Sequence, residues 1–200
     1  MEANNNTKSS KPDLPVIPFT SAAEWEQWLE ENHTVSKGIW MQMFKKGSGI
    51  ASVYYAEALD VALCYGWIDG QLKSIDELSY MQRFTPRRPK SLWSKRNIAH
   101  VGRLVAEGRM KSAGLKEAEA AKADGRWDAA YDPQVTMFLP DDFQKELSKH
   151  KKALAFYESL NKTNKYAVAW RIQTAKRPET REKRMKEILE ILEKEEKFHM

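Results

Sequence analysis

The spacing of apolar residues predicts a chain that begins with mixed helix and strand and continues as helix alone. Ser21 and Glu24 form a capping-box pattern, which predicts a helix running to about Asn32. Trp25 and Trp28 recur at helical spacing in this segment, so we expect both in the core.

The next segment alternates between strand and helix signals. Residues 39–46 lie between glycines without a helix start signal, which predicts a strand. Residues 54–65 return to helical spacing before Gly66, and residues 67–73 and 78–85 predict a hairpin that ends at the prolines after it.

From Ser94 onward the pattern is helical. Ser94 is a candidate N-cap and Gly108 a terminator for the first of these helices, and further helices are predicted at 112–124, 141–159, 163–176 and 178–196. The predicted class is therefore α+β, with a small antiparallel sheet and helices in the N-terminal half and an all-helical C-terminal half. We expect a disordered leader at 1–14, an α+β unit at 15–97 and a helical region at 98–200 packed on it.

Composition indicates the type of protein and its cellular compartment, but it does not select a function. Of 200 residues, 42% are hydrophobic, which is enough for a globular core. The net charge of +5 permits nucleic acid, anionic lipid or acidic metabolites as partners without selecting among them. The single Cys64 excludes an internal disulfide, and the absence of a secretory h-region or long apolar stretch predicts a cytoplasmic protein without membrane insertion.

A run of cations after the hairpin is the main candidate for function. No acid interrupts it, and its members are Arg83, Arg87, Arg88, Lys90, Lys95 and Arg96. Like charges held together favour an anion site, helped by free N–H groups at a helix start after Ser94. The alternative is a structural network of ion pairs with local acids such as Asp69, Asp76 and Glu77.

The hairpin also supplies a carboxylate and aromatic side chains. Asp69 is expected opposite Arg83 or Arg87, where it would orient a ligand or stabilise the fold rather than transfer protons. Trp67 and Trp93 either line a pocket or belong to the core. The candidate ligand-binding residues are Trp67, Asp69, Arg83, Arg87, Arg88, Trp93, Ser94, Lys95 and Asn97.

The remaining motifs point to no known chemistry. The four histidines and Cys64 lack metal-ligand spacing, and no catalytic constellation or cofactor motif is recognised. The glycines around Ser48 imitate a dinucleotide-binding turn, but Ser52 occupies the third glycine position. A non-enzymatic protein is therefore favoured, with enzyme activity left open.

Several blocks in this order resemble the YdeI/OmpD-associated family, also called bacteriocin-protection proteins. The blocks are Phe19 with Trp25 and Trp28, GWIDG from Gly66, RFTPRR from Arg83, SLWS from Ser91 with Asn97, GRM from Gly108, Gly114-Leu115, DGRW from Asp124, Ala175-Lys176 and Glu179-Thr180-Arg181. The resemblance spans about 18–190. It implies protection against bacteriocins or cationic antimicrobial peptides and association with an outer-membrane porin, and it carries no catalytic residue.

The resulting hypothesis is a soluble binding protein of this family with a basic, tryptophan-flanked face for an unidentified acidic ligand or protein partner. One alternative is a nucleic-acid-binding module on the same face. A second is an enzyme acting on a small anionic substrate, with Asp69 and Arg87 in its pocket.

Overall fold

The computed structural model describes residues 14–133 and 135–199, which group into two compact units. The first unit comprises the residues up to Ser91 together with Ala99–Trp127. The second comprises Leu92–Ile98 and the residues from Asp128 onward. The predicted leader lies outside the described residues, except for Leu14.

A four-stranded sheet organises the first unit. Its elements are β1 (Val16–Pro18), α1 (Ala22–Asn32), β2 (Ile39–Phe44), α2 (Tyr55–Cys64), β3 (Trp67–Ser74) and β4 (Ser79–Pro86). The strand order is β1-β2-β4-β3, with β1 parallel to β2 and the other pairs antiparallel. The α+β class is confirmed. Strand β1 was not predicted, because three residues ending at a proline give no strand pattern and fit only a sheet edge.

One face of the sheet forms the core of the first unit. Alternate residues Ile39, Met41 and Met43 on β2 are completely buried, as expected for side chains that share one face of a strand. Trp25 and Trp67 pack in the same core with ring centroids 6.0 Å apart. Each indole N–H has a partner: Trp25 donates to the carbonyl of Ala58 and Trp67 to that of His33.

Two further helices follow the sheet, α3 (Lys95–Ala106) and α4 (Ser112–Ala123). Gly108 has a φ of 69°, a left-handed conformation that ends α3 as predicted. Helix α4 approaches the end of α2 very closely at Gly114. A Cβ at this position would lie 2.5 Å from the carbonyl oxygen of Leu63.

The second unit is built mainly from α5 (Asp141–Leu147), α6 (Lys151–Ser159), α7 (Lys162–Gln173) and α8 (Pro178–Glu193). Its core contains Phe143 and Leu147 from α5 and Ile172, Ile188 and Leu192 from α7 and α8. Pro178 begins α8 as predicted. None of the helices in the described part of the chain is long and apolar enough to cross a membrane.

The prediction of a single helix at 141–159 is wrong. The chain leaves the helical conformation at His150, which has a φ of −111° and a ψ of 81°. The bend lets Leu147 from α5 and Ala153 from α6 enter one core. His150 also contacts Glu193 of α8, with 2.6 Å between Nδ1 and Oε1. The cause is long-range packing, because this segment contains no glycine or proline that would mark a helix end.

Candidate functional site

The structure divides the predicted ligand-binding residues between the two units. Trp67, Asp69, Arg83, Arg87 and Arg88 belong to the first unit, whereas the segment from Trp93 to Asn97 belongs to the second.

In the first unit, the sheet face opposite the core carries positive charge around a tryptophan. Arg83 on β4 pairs with Trp40 on β2, so both side chains lie on this face. The ammonium of Lys73 on β3 lies 4.4 Å from the centroid of the Trp40 ring, within the range of a cation–π interaction. We call Trp40, Lys73 and Arg83, with Arg88 just after β4, the basic sheet face.

Arg83 is held in an energetically costly position. Its side chain would touch a Cβ placed at Gly70 of β3, at 3.7 Å, so its stem lies across the neighbouring strand. Its Nε is buried and donates no hydrogen bond to a described residue. An unsatisfied buried N–H costs about 1–3 kcal/mol.

The end of β4 separates a buried arginine from exposed cations. Arg87 is only 6% exposed, and its backbone N–H donates to the carbonyl of Gly66, which continues the hairpin. Arg88 and Lys90 are exposed on a tight turn closed by a hydrogen bond from Ser91 N–H to the Arg88 carbonyl. Arg88 is therefore the better placed of the two arginines to meet a ligand.

The nearby acids have partners of their own. The prediction that Asp69 opposes Arg83 or Arg87 is wrong, because Asp69 pairs with Phe84 and so lies on the core side of the sheet. There its carboxylate accepts a hydrogen bond from the Tyr55 hydroxyl at 2.8 Å. Asp76 accepts hydrogen bonds from the Ser79 hydroxyl and the hairpin backbone, and these lower its pKa.

The tryptophans expected to flank the basic run are buried. Trp67 is 1% exposed and Trp93 2% exposed, so their rings cannot stack on a ligand without rearrangement. The sequence left a pocket lining and a core position open, and the structure places both in the interior. Trp40, at 7% exposure, is covered in part by Lys73.

In the second unit, the start of α3 is occupied by internal contacts. The Ser94 hydroxyl caps the helix by accepting from Asn97 N–H, and Lys95 N–H donates to the Tyr131 carbonyl. The Lys95 ammonium lies 2.6 Å from Asp132. This hydrogen bond, against the opposing effect of burial, holds the pKa of Asp132 below its ordinary value. Lys95 thus serves an ion pair, as the structural alternative expected, although with an acid far along the chain.

Two family models match separate parts of the chain. Residues 17–117, about half of the chain, match the family described as a domain of unknown function (DUF8412). Residues 136–195 match the family described as Bacteriocin-protection, YdeI or OmpD-Associated. The chain belongs to the DUF8412 family, and its C-terminal part is similar to the YdeI/OmpD-associated family. The resemblance to the latter family is confirmed for residues 136–195, which contain the blocks Ala175-Lys176 and Glu179-Thr180-Arg181. The blocks from Phe19 to Leu115 lie instead within the DUF8412 match, so the expected span of about 18–190 was too long. No curated protein and no solved structure matches the chain.

The DUF8412 segment also contains a polar cluster that the sequence did not reveal. Asp60 on α2 accepts from His100 Nδ1 at 2.7 Å and from Arg103 at 2.5 Å. Burial raises the pKa of Asp60, but these hydrogen bonds outweigh it and leave the pKa lowered. Arg103 also pairs with Glu107, and Glu107 pairs with Arg109. The cluster joins α2 to α3.

The surroundings of Cys64 and of the potential metal ligands are also defined. Burial raises the pKa of the Cys64 thiol to about 11, so Cys64 is a protonated, unreactive side chain. Within 14–133 and 135–199, no group of three or more His, Cys, Asp or Glu side chains could hold a metal ion.

Proposed function

We propose that the protein is a binding protein whose basic sheet face holds a ligand bearing phosphate or carboxylate groups. The observation that carries the proposal is Arg83, which lies on one sheet face with Trp40 and the cation Lys73, forms no ion pair with a described residue, and is followed after β4 by the exposed Arg88. A guanidinium held across a sheet in this way is suited to an anion with two acceptor oxygens.

The charges of this face are available to a ligand. Neither Arg83 nor Arg88 forms an ion pair with a described residue, and Lys73 contacts only the ring of Trp40 among the interactions found there. The neighbouring acids Asp69 and Asp76 have hydrogen-bond partners elsewhere. An acidic ligand would therefore relieve repulsion between like charges rather than compete with internal carboxylates.

Titration calorimetry of the full chain with tripolyphosphate at low salt tests this function. We expect Lys73→Met and Arg88→Ala each to weaken binding about tenfold or more, since a hydrogen bond to a charged group contributes about 1.5–3 kcal/mol. The double variant Lys183→Ala with Lys186→Ala, on the exposed side of α8, removes the same kind of charge and should leave affinity unchanged. Absence of binding by the unaltered protein at low salt would exclude the proposal.

Nucleic acid is the second candidate, and the buried tryptophans limit it. Binding by base stacking requires an accessible ring, whereas Trp40, Trp67 and Trp93 are at most 7% exposed. A nucleic acid could therefore bind only through contacts between these cations and its phosphate backbone. If three cations each met one phosphate of a single strand, log affinity would fall with log salt with a slope of about −2. A steep slope of this size with an oligonucleotide, together with weak tripolyphosphate binding, would favour this candidate.

The proposed cellular role is the protection against bacteriocins that the description of the matched family names. Direct capture of a cationic peptide on the basic sheet face would bring like charges together, which is unfavourable. The protection would instead depend on the acidic ligand bound there. A strain lacking the gene should become more sensitive to a cationic bacteriocin, and the Arg88→Ala variant should restore resistance less than the unaltered gene. Equal restoration of resistance by both genes would show that protection does not depend on the basic sheet face.

A further inference from the structure

The YdeI/OmpD-associated domain contains a cavity of about 460 Å³ that none of the predicted residues lines. The loop from Val135 to Leu139 forms one wall, and residues from α6 and α7 form the others. This volume lies within the range of 300–1,000 Å³ typical of small-molecule sites. The whole cavity belongs to the second unit.

The wall of the cavity is mainly apolar. Phe138, at 63% exposure, and Val135, at 96%, are large apolar side chains left in water on the loop. Tyr157 and Tyr166 line the cavity from the helices, and burial raises the pKa of both phenols, so both stay neutral at physiological pH. A second cavity of about 390 Å³ shares Phe138, Leu139 and Tyr157 with the first, but Asp141 and Glu158 also line it, so an anion is favoured only in the first cavity.

The charged groups at this cavity are all positive. Lys162 and Lys165 line it and no carboxylate does. Lys165 is fixed in place, because its Nζ donates to the Glu158 carbonyl at 2.7 Å and lies 5.8 Å from the Tyr157 ring centroid. Lys162 is exposed and forms no ion pair with any residue in the described ranges. It is also the first residue of α7, where the helix dipole adds positive potential.

We propose that this cavity binds a small amphiphilic anion, with an aromatic or acyl body against Phe138 and Tyr157 and a carboxylate or sulfonate at Lys162. The apolar wall provides affinity for the body through removal of apolar area from water. The lysines distinguish a negatively charged ligand from a neutral one of the same shape. The site is separate from the basic sheet face in residues and in ligand class.

Two fluorescent probes that differ mainly in charge test the proposal with the full chain. The anion is 8-anilinonaphthalene-1-sulfonate, and the neutral analogue is N-phenyl-1-naphthylamine. We expect one saturable site for the anion, with displacement by decanoate. Lys162→Met should weaken the anion about tenfold and leave the neutral probe unchanged. Phe138→Ser should weaken both probes, because the apolar contact serves both.

Matched variants separate this site from other surfaces. Lys186→Met, an exposed lysine on α8, should leave both probes unaffected. Arg88→Ala should also leave them unaffected, so failure of the basic sheet face and failure of this cavity give different results. The proposal is overturned if Lys162→Met weakens both probes equally or neither, if decanoate does not displace the anion, or if several weak sites bind it.

Discussion

Replacement of Gly114 by alanine tests the packing of α4 against α2 in the first unit. A Cβ at Gly114 would lie 2.5 Å from the Leu63 carbonyl oxygen and 2.8 Å from the Cys64 carbonyl carbon. Both are backbone atoms, so a side-chain rotation cannot relieve the contact. Overpacking of this kind costs about 1–3 kcal/mol, which exceeds the gain of up to about 1 kcal/mol from replacing a helical glycine.

Gly102 provides the matched control. It lies in α3 with open space around its Cα and is exposed, so alanine there should stabilise by about 0.5–1 kcal/mol. Urea unfolding followed by tryptophan fluorescence measures both, because most of the tryptophans lie in the first unit. We expect Gly114→Ala to lower the midpoint and Gly102→Ala to raise it. A Gly114→Ala midpoint equal to or above that of the unaltered chain would refute the close helix contact.

Two further substitutions test single interactions. Asp60 has a lowered pKa because His100 and Arg103 stabilise its charged form despite burial. Its contribution to the free energy of unfolding is therefore present above the ordinary pKa of about 4, and it is lost as the pH falls through the lower pKa of the folded state. Asp60→Asn should therefore lower the melting temperature at pH 7, with a difference that shrinks below pH of about 4, and a difference independent of pH would contradict this assignment. Asn164 is buried and its Oδ1 accepts from the backbone N–H groups of Phe198 and His199, so Asn164→Ala should destabilise the second unit by about 1–3 kcal/mol and speed proteolysis after α8. Unchanged proteolysis would show that these contacts do not hold the end of the chain.

Local sequence signals predicted the elements whose ends are determined locally. Ser21 begins α1 by accepting from Glu24 N–H, although the Glu24 carboxylate bonds Thr20 rather than the cap itself. Gly66, with a φ of 73°, ends α2 where its lack of a side chain indicated. The hairpin of β3 and β4 likewise follows from turn residues and alternation.

Features determined by distant parts of the chain were not predictable. The break at His150 depends on packing between helices, and the partner of Lys95 is Asp132, which only the folded chain brings near. The charge of the basic run was visible in the sequence, but the proposed anion-binding face also includes Trp40 and Lys73, which lie outside that run. Those residues join Arg83 through strand pairing, and register across three strands cannot be read from one segment.

The substitution Arg83→Met tests the central claim most directly. Methionine keeps the stem over Gly70 and removes the buried Nε that lacks a hydrogen-bond partner in the described chain, so stability should stay equal or rise. Tripolyphosphate affinity and urea midpoint should be measured on the same preparation. The proposed anion site predicts at least a tenfold loss of affinity with no loss of stability. A variant that loses stability and keeps its affinity would show instead that Arg83 serves the fold.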